Sequence, residues 1–334
     1  MVLKIHFSQE EACFIFKSYY TRLGQISKIL PLEAMNVNSM NYVVKTVSQD
    51  QQNFSKTYLL RKFGDFQWYH TKEHILRTFD VIARCREAGI KVPQILQTNY
   101  GSHLVELNGH LYTCLSFIEN EAYAHTDKEI QSVGKNLGEL HRVLESLDLK
   151  TEQDPFLQEL LTQEECEKIR TKIQNQNSKI PKDFANYVSA QLDWLQEKIL
   201  QNNCFFSSKI FQIQYTHGDF HKGNVLFYEK SVAAILDFDG IKPSQRAREL
   251  GFAAQRFCLT QKQLELFLES YQQTNPLSNE ELEALPHFTI RESCRRASKI
   301  LRMVFFHDKW HFGSDLEKQI TNAKKAESLF NLVP

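Results

Sequence analysis

No uninterrupted apolar run in this 334-residue sequence approaches the roughly 20 residues that a membrane-spanning helix needs. The opening MVLKIHFSQEEACF breaks its one apolar stretch with Lys4 and His6, so neither a secretory signal nor a span is expected. Net charge is missing too. Forty Lys and Arg residues balance forty Asp and Glu residues, which removes any global electrostatic case for nucleic acid or an anionic membrane but permits local basic grooves. The cysteines (Cys13, Cys85, Cys114, Cys166, Cys204, Cys258 and Cys294) include no Cys-x-x-Cys pair. Their odd number and wide spacing exclude a zinc ribbon and a disulfide framework, and a reducing cytosol is the expected compartment. There is no internal repeat, no low-complexity tract, no G-x-G-x-x-G and no Walker A loop.

What is present suits a folded chain. Apolar content is 42% and charged content 24%, near the globular average, and the length allows two lobes with their own cores. Ser8-Gln-Glu-Glu11 is a capping box that should open a helix running to Leu23. NYVVKTV (41–47) and KTYLLRKF (56–63) read as strands joined by a polar turn. A helix is expected over 70–88, ending at Gly89, then strand pieces at 103–107 and 111–118. From Thr126 the pattern turns helical, with capping boxes at Thr126 and Thr162, a helix over 182–201, and further caps at Thr260 and Ser278. A short β segment over 213–239 interrupts it. The expected fold class is therefore α+β. A β-rich N-terminal domain spans 1–117 and a mainly helical C-terminal domain spans 118–334. No strand–helix alternation long enough for a doubly wound sheet occurs.

The densest polar cluster is YTHGDFHKGNVLF, 215–227, and AAILDFDG follows at 233–240. Three readings compete. His217-x-Asp219-x-His221 on one strand face would make a two-histidine, one-carboxylate metal site, but Gly218 argues against a regular strand. ILDFDG alone matches a haloacid-dehalogenase-type phosphatase with Asp237 as nucleophile. That chemistry wants the aspartate early in its domain, with strands after it, and here helical sequence follows. The third reading joins the clusters. Asp219 precedes Asn224 by five positions, the spacing of the kinase catalytic loop, and Asp237-Phe238 stands where D-F-G would. A hydroxyl nucleophile needs an orienting carboxylate, and a triphosphate needs a hard cation held by oxygen ligands. A hairpin turning at Tyr228–Ser231 would bring Asn224 and Asp237 to one spot.

HGDFHKGN followed by ILDFD resembles the signature of the aminoglycoside phosphotransferase and choline kinase-like superfamily. VGKNLGELHRVL (133–144) is similar to that family's helix ending in Leu-x-x-Leu-His, and RELGFA (248–253) to its Tyr-Asp-Leu-Ala segment. NVNSMNYVV (36–44) resembles the nucleotide-covering hairpin, with Asn36 where relatives often carry glycine. That hairpin and the tail RESCRRASKILR are most like the homoserine kinase branch. The likeness spans roughly residues 25–310.

The resemblance implies a protein-kinase-like, two-lobed fold and an ATP- and Mg²⁺-dependent small-molecule kinase. Asp219 would be the catalytic carboxylate, with Asn224 and Asp237 as the Mg²⁺ ligands. Arg61 would take the place of the strand lysine on the α- and β-phosphates, because Lys62 points to the other sheet face. Glu73 would pair with Arg61, and Ser116, Phe117 and Ile118 would form the hinge at the adenine. His217 and Glu249 would support the loop, and His141 would be a buried, hydrogen-bonded histidine. Asp239 and His221 are candidates for substrate or a second metal. The implied acceptor is a small hydroxyl compound: an amino alcohol, a hydroxy amino acid or an aminoglycoside. A cationic acceptor would use acidic residues such as Asp239, Glu292 or Asp308. Nucleic acid and membrane are not expected partners, and the chain would act as monomer or homodimer. A nucleotide-binding pseudokinase is the remaining alternative.

Overall fold

The computed structural model describes residues 6–32, 39–47, 55–64, 71–147, 160–175, 180–309 and 313–330. It divides into two compact units. One comprises Met1–Ala124 with Gly223–Ile241, the other His125–Lys222 with Lys242–Pro334. The β-rich unit thus extends past 117 and recruits a later segment, the hairpin carrying Asn224 and Asp237.

The β-rich unit opens with α1 (Gln9–Tyr19), whose Ser8 cap accepts a hydrogen bond from the Glu11 N–H. The helix stops short of Leu23. Thr21–Leu23 tightens into a single 3₁₀ turn, and Gly24 follows at φ +107°. A Cβ there would meet the Val47 carbonyl at 2.7 Å, so only glycine lets the chain turn directly into the sheet. Strands β1 (Gln25–Leu32), β2 (Ser39–Val47) and β3 (Ser55–Phe63) precede α2 (Lys72–Glu87). After it come β4 (Ile95–Leu96), β5 (Val105–Leu107) and β6 (His110–Ser116). The antiparallel order is β1-β2-β3-β6-β4, with β5 on β6. β1 has no counterpart among the expected strands. It is a mostly exposed edge strand containing Pro31, so it lacks the burial alternation that marks β2 and β3, and edge strands tolerate proline. The Asn36 position of the expected nucleotide-covering hairpin lies outside the described residues.

Alternation on β3 separates the sheet's two faces. Tyr58 and Leu60 join Phe16, Tyr20, Tyr42, Val44 and Tyr112 in a core under α1. On the opposite face, Phe63 packs with Ile75 and Phe79 of α2 and with Leu104. Strands β8 (Val225–Tyr228) and β9 (Ser231–Ile235) form a two-stranded hairpin. It docks on this unit through Ile235 N–H to Lys91 O (2.8 Å) and Glu121 N–H to Phe227 O (2.7 Å). Tyr123 also stacks on Phe227 at 4.7 Å.

The helical unit contains α3 (Asp127–Glu145), α4 (Gln163–Gln174), α5 (Lys182–Phe206), α6 (Arg246–Phe257), α7 (Gln261–Gln272), α8 (Asn279–His307) and α9 (Ser314–Leu329). The short strands β7 (Gln214–Thr216) and β10 (Lys242–Ser244) pair within it. The boxes Thr126/Glu129, Thr162/Glu165 and Ser278/Glu281 are closed reciprocally, each satisfying two otherwise orphaned N–H groups. α4, α5, α8 and α9 share a core around Leu192, Leu195, Ile300, Leu301 and Val304. Burial of each such side chain contributes about 1.5–3 kcal/mol. No described helix is long and apolar enough to cross a membrane.

Candidate active site

In the β-rich unit the β8–β9 turn is made by Glu229 (φ 49°) and Lys230 (φ 59°), the doubly left-handed geometry whose twist matches a two-residue hairpin. Val225 pairs with Ile235, and the Leu236 N–H donates to the Asn224 carbonyl at 2.8 Å. Asn224 and Asp237 therefore leave the hairpin at the same end. Asp237 sits at φ 62°, ψ 62°, a left-handed conformation that costs a non-glycine residue on the order of 1 kcal/mol and that concentrates at functional sites.

Both residues line a cavity of about 390 Å³ whose wall also includes Arg61, Asp239, Ser116, Phe117 and Ile118. Arg61 Nη2 donates to Asp239 Oδ2 at 2.6 Å and lies 3.8 Å from Asp237 Oδ1. Lys62 turns to the opposite face. There its buried ammonium meets Glu11 at 2.9 Å and the His6 carbonyl at 2.8 Å. Ser39 Oγ, Asn41 Oδ1 and Thr78 Oγ1 also sit on this cavity's wall. All three are buried without a hydrogen-bond partner among the described residues, which marks a wall built for a polar occupant.

The expected partner of Arg61 differs. Glu73 is exposed in the first turn of α2, and both carboxylates beside Arg61 come instead from the segment after β9. The reason is helical phase. α2 turns Ile75, Thr78, Phe79 and Ile82 to the cavity. At roughly 100° per residue, Glu73 lies about 200° from Ile75. α2 instead reaches this segment through His74, whose Nε2 is 3.1 Å from the Asp239 carbonyl.

In the helical unit the loop after β7 carries Asp219. Gly218 takes φ +82° and β7 ends at Thr216, so His217, Asp219 and His221 do not share a strand face. Glu249 of α6 grips this turn, accepting from the His217 N–H at 2.9 Å and the Gly218 N–H at 2.5 Å. Its Oε2 also lies 2.8 Å from Nε2 of the fully buried His141, whose Nδ1 is 2.8 Å from the Tyr271 hydroxyl. Full burial alone would raise the Glu249 carboxyl. The hydrogen bond and charge of His141, with His217, hold it below its ordinary value. The His217 ring packs edge-on against Phe220.

Asp219 Oδ2 lies 3.2 Å from His221 Nε2. Burial would raise the Asp219 carboxyl, but the hydrogen bond and charge of His221, then Arg296 and His217, keep it below its usual value. Glu292, expected at a cationic acceptor, is instead buried beneath three arginines. Arg248, Arg295 and Arg296 donate to it at 2.9, 2.8 and 2.9 Å. Burial would push this carboxyl up, and those guanidinium groups hold it well below the carboxylate range. Asp239 is likewise committed, to Arg61, and Asp308 is the left-handed C-cap of α8. Arg248 lies in RELGFA and Arg295 and Arg296 in RESCRRASKILR, but nothing in either segment says that the two helices bring these arginines onto one carboxylate. The one signal available was the dense RESCRR run.

A sequence profile of the phosphotransferase enzyme family matches residues 32–283. No protein of curated function matches the sequence. Among solved structures, a spectinomycin phosphotransferase in complex with ADP and spectinomycin is 16% identical, with 97% of this chain and 100% of that chain covered at a TM-score of 0.66. An aminoglycoside phosphotransferase from Alicyclobacillus acidocaldarius is 13% identical, covering 92% and 91% at 0.67. A choline kinase from Streptococcus pneumoniae is 17% identical, covering 97% and 100% at 0.57. Identities this low speak to the fold, which is the expected α+β one.

Proposed function

The chain belongs to the phosphotransferase enzyme family, and from that premise we propose that it transfers the terminal phosphoryl group of ATP to a hydroxyl group of a small molecule. The observation that carries this reading is the convergence of Arg61, Asn224 and Asp237 on the cavity that Ser116–Ile118 also line. Asn224 and Asp237 offer two oxygen donors. That fits Mg²⁺, a hard cation bound through one or two protein oxygens with phosphates and water supplying the rest. Asn224 and Asp237 would hold the ion, which would supply positive charge to offset that of the nucleotide phosphates. Arg61, poised by Asp239, contributes the fixed positive charge beside them. Residues 116–118 provide the peptide edge for the base.

Asp219 orients the acceptor hydroxyl and receives its proton. Its depressed carboxyl keeps it ionised at neutral pH, so its contribution is placement as much as basicity. Glu249, holding the His217 and Gly218 amides, is a positioning residue for that carboxylate. The phosphatase alternative finds no support in the fold. β9 belongs to an antiparallel two-stranded hairpin, and after β10 the described chain is helical, without the later strands that chemistry needs.

The test is ATP consumption with Mg²⁺ across a panel of hydroxyl compounds, comparing wild type with Asp219→Asn. A loss of about 10²–10⁴ in kcat with ADP binding retained is expected. Unchanged turnover in the variant would remove Asp219 from the mechanism. Nucleotide binding without transfer to any acceptor would leave a non-catalytic binding protein.

A further inference from the structure

The surroundings of Asp219 in the helical unit are built for negative charge. Two guanidinium groups share one aromatic ring: Arg256 Cζ lies 4.9 Å and Arg296 Cζ 4.8 Å from the centroid of Phe252. Arg296 has a carboxylate partner in Glu292, but Glu292 already serves Arg248 and Arg295. Arg256 has no ion pair among the described residues, and its Nε is buried without a hydrogen-bond partner. Arg256 is half-buried, and a buried Nε–H with no acceptor costs free energy unless something completes it. Lys325 of α9 and Lys222 of the catalytic loop lie within electrostatic reach of this group, and Arg296 and Arg256 lie within reach of Asp219. Burial, and then the neighbouring Arg296, make the Arg256 charge harder to hold, with Asp219 and Glu292 opposing. Cations from α6, α8, α9 and the loop thus outnumber the two carboxylates they face.

We propose that the acceptor of this enzyme carries an oxyanion, a carboxylate or a phosphate, which is received by Arg256 and Arg296 while its hydroxyl meets Asp219. The inference rests on the kinase reading and narrows it, because a cationic acceptor would be repelled by these arginines. A guanidinium fork matches both oxyanions bidentately, so the two sources share one chemistry. Arg256 is the specificity-determining residue that can be changed most safely, since it holds no buried carboxylate in place.

The experiment uses the full chain with ATP and Mg²⁺ and four small acceptors: glycerate, glycerol 3-phosphate, glycerol and choline. Thermal-shift titrations with glycerate and with inorganic phosphate run in parallel. The wild type should prefer one of the two anionic acceptors over glycerol and choline. Arg256→Gln should raise KM for that acceptor, and weaken phosphate or glycerate binding, by about tenfold or more. KM for ATP should stay unchanged, and Arg256→Lys should recover part of the loss. Transfer to choline or glycerol in preference to both anions, indifferent to Arg256→Gln, overturns the proposal while leaving the kinase reading intact. Arg256-dependent anion binding with no transfer to any acceptor keeps the oxyanion site and sinks the kinase reading. An equal loss of ATP affinity in Arg256→Gln would assign the arginine to the nucleotide and overturn the acceptor site. Neither anion binding more tightly to wild type than to Arg256→Gln overturns it as well.

Discussion

The two units hold opposite imbalances of charge. Around the cavity of the β-rich unit, one guanidinium, Arg61, faces two carboxylates, Asp237 and Asp239. In the helical unit, three arginines crowd on Glu292, and a fourth, Arg256, within electrostatic reach of Asp219, has no ion-pair carboxylate among the described residues. An acid-rich site is completed by a cation and a base-rich site by an anion, because a buried charge left uncompensated is costly. Under the proposed reaction, a cation would complete the acid-rich site and an anionic acceptor the base-rich one. Asp219 works there beside His221 and then Arg296, which hold its carboxyl below its usual value.

The sharpest way to break this contrast is Glu292→Gln. It leaves Arg248, Arg295 and Arg296 without their common carboxylate and should cost about 3–5 kcal/mol in urea unfolding. A loss below about 1 kcal/mol would mean that water already screens the cluster. Glu249→Gln should follow, at about 2–3 kcal/mol with a fall in kcat, because one amide oxygen cannot replace a carboxylate that accepts from two N–H groups and His141. Asp237→Asn belongs to the acid-rich side. It should abolish the Mg²⁺ dependence of nucleotide binding, measured by ADP titration with and without the ion, while stability shifts little. Smaller still is Asp239→Asn, which trades a charge-assisted bond to Arg61 for a neutral one and should cost about 1 kcal/mol. Glu73→Gln should stay within about 0.5 kcal/mol and leave ATP affinity unchanged.

Acid should sharpen the same contrast. Glu249 and Glu292 both have folded-state values below the ordinary 4.5. Their contribution is fully present above that ordinary value. It is lost as pH falls below it toward the depressed folded values, by up to about 1.4 kcal/mol per pH unit for each group. Urea midpoints should therefore fall steeply below about pH 4.5, and less steeply in either Gln variant.

Much of this was legible in the chain. The capping boxes at Thr126, Thr162 and Ser278 act through partners three residues away, so composition and spacing specify them. The separation of Arg61 from Lys62 follows from the two-residue period of a strand. The meeting of Asn224 and Asp237 follows from a hairpin whose turn is local. Glu73 is set apart from Arg61 by helical phase, since Ile75, Phe79 and Ile82 define α2's inward stripe. β1 was hidden because an exposed edge strand has no alternation to read.

By itself, then, the sequence determined what short-range geometry can carry: caps, strand faces, one hairpin and the Asp219/Asn224/Asp237 spacing. Glu292 meets Arg295 and Arg296 within one helix turn, but only the tertiary structure decided which carboxylate meets the distant arginines. Asp239 reaches Arg61 across 178 positions, and Glu292 reaches Arg248 across 44. Ion pairs of that separation are set by how helices and sheet pack, and no local period in the chain records that packing.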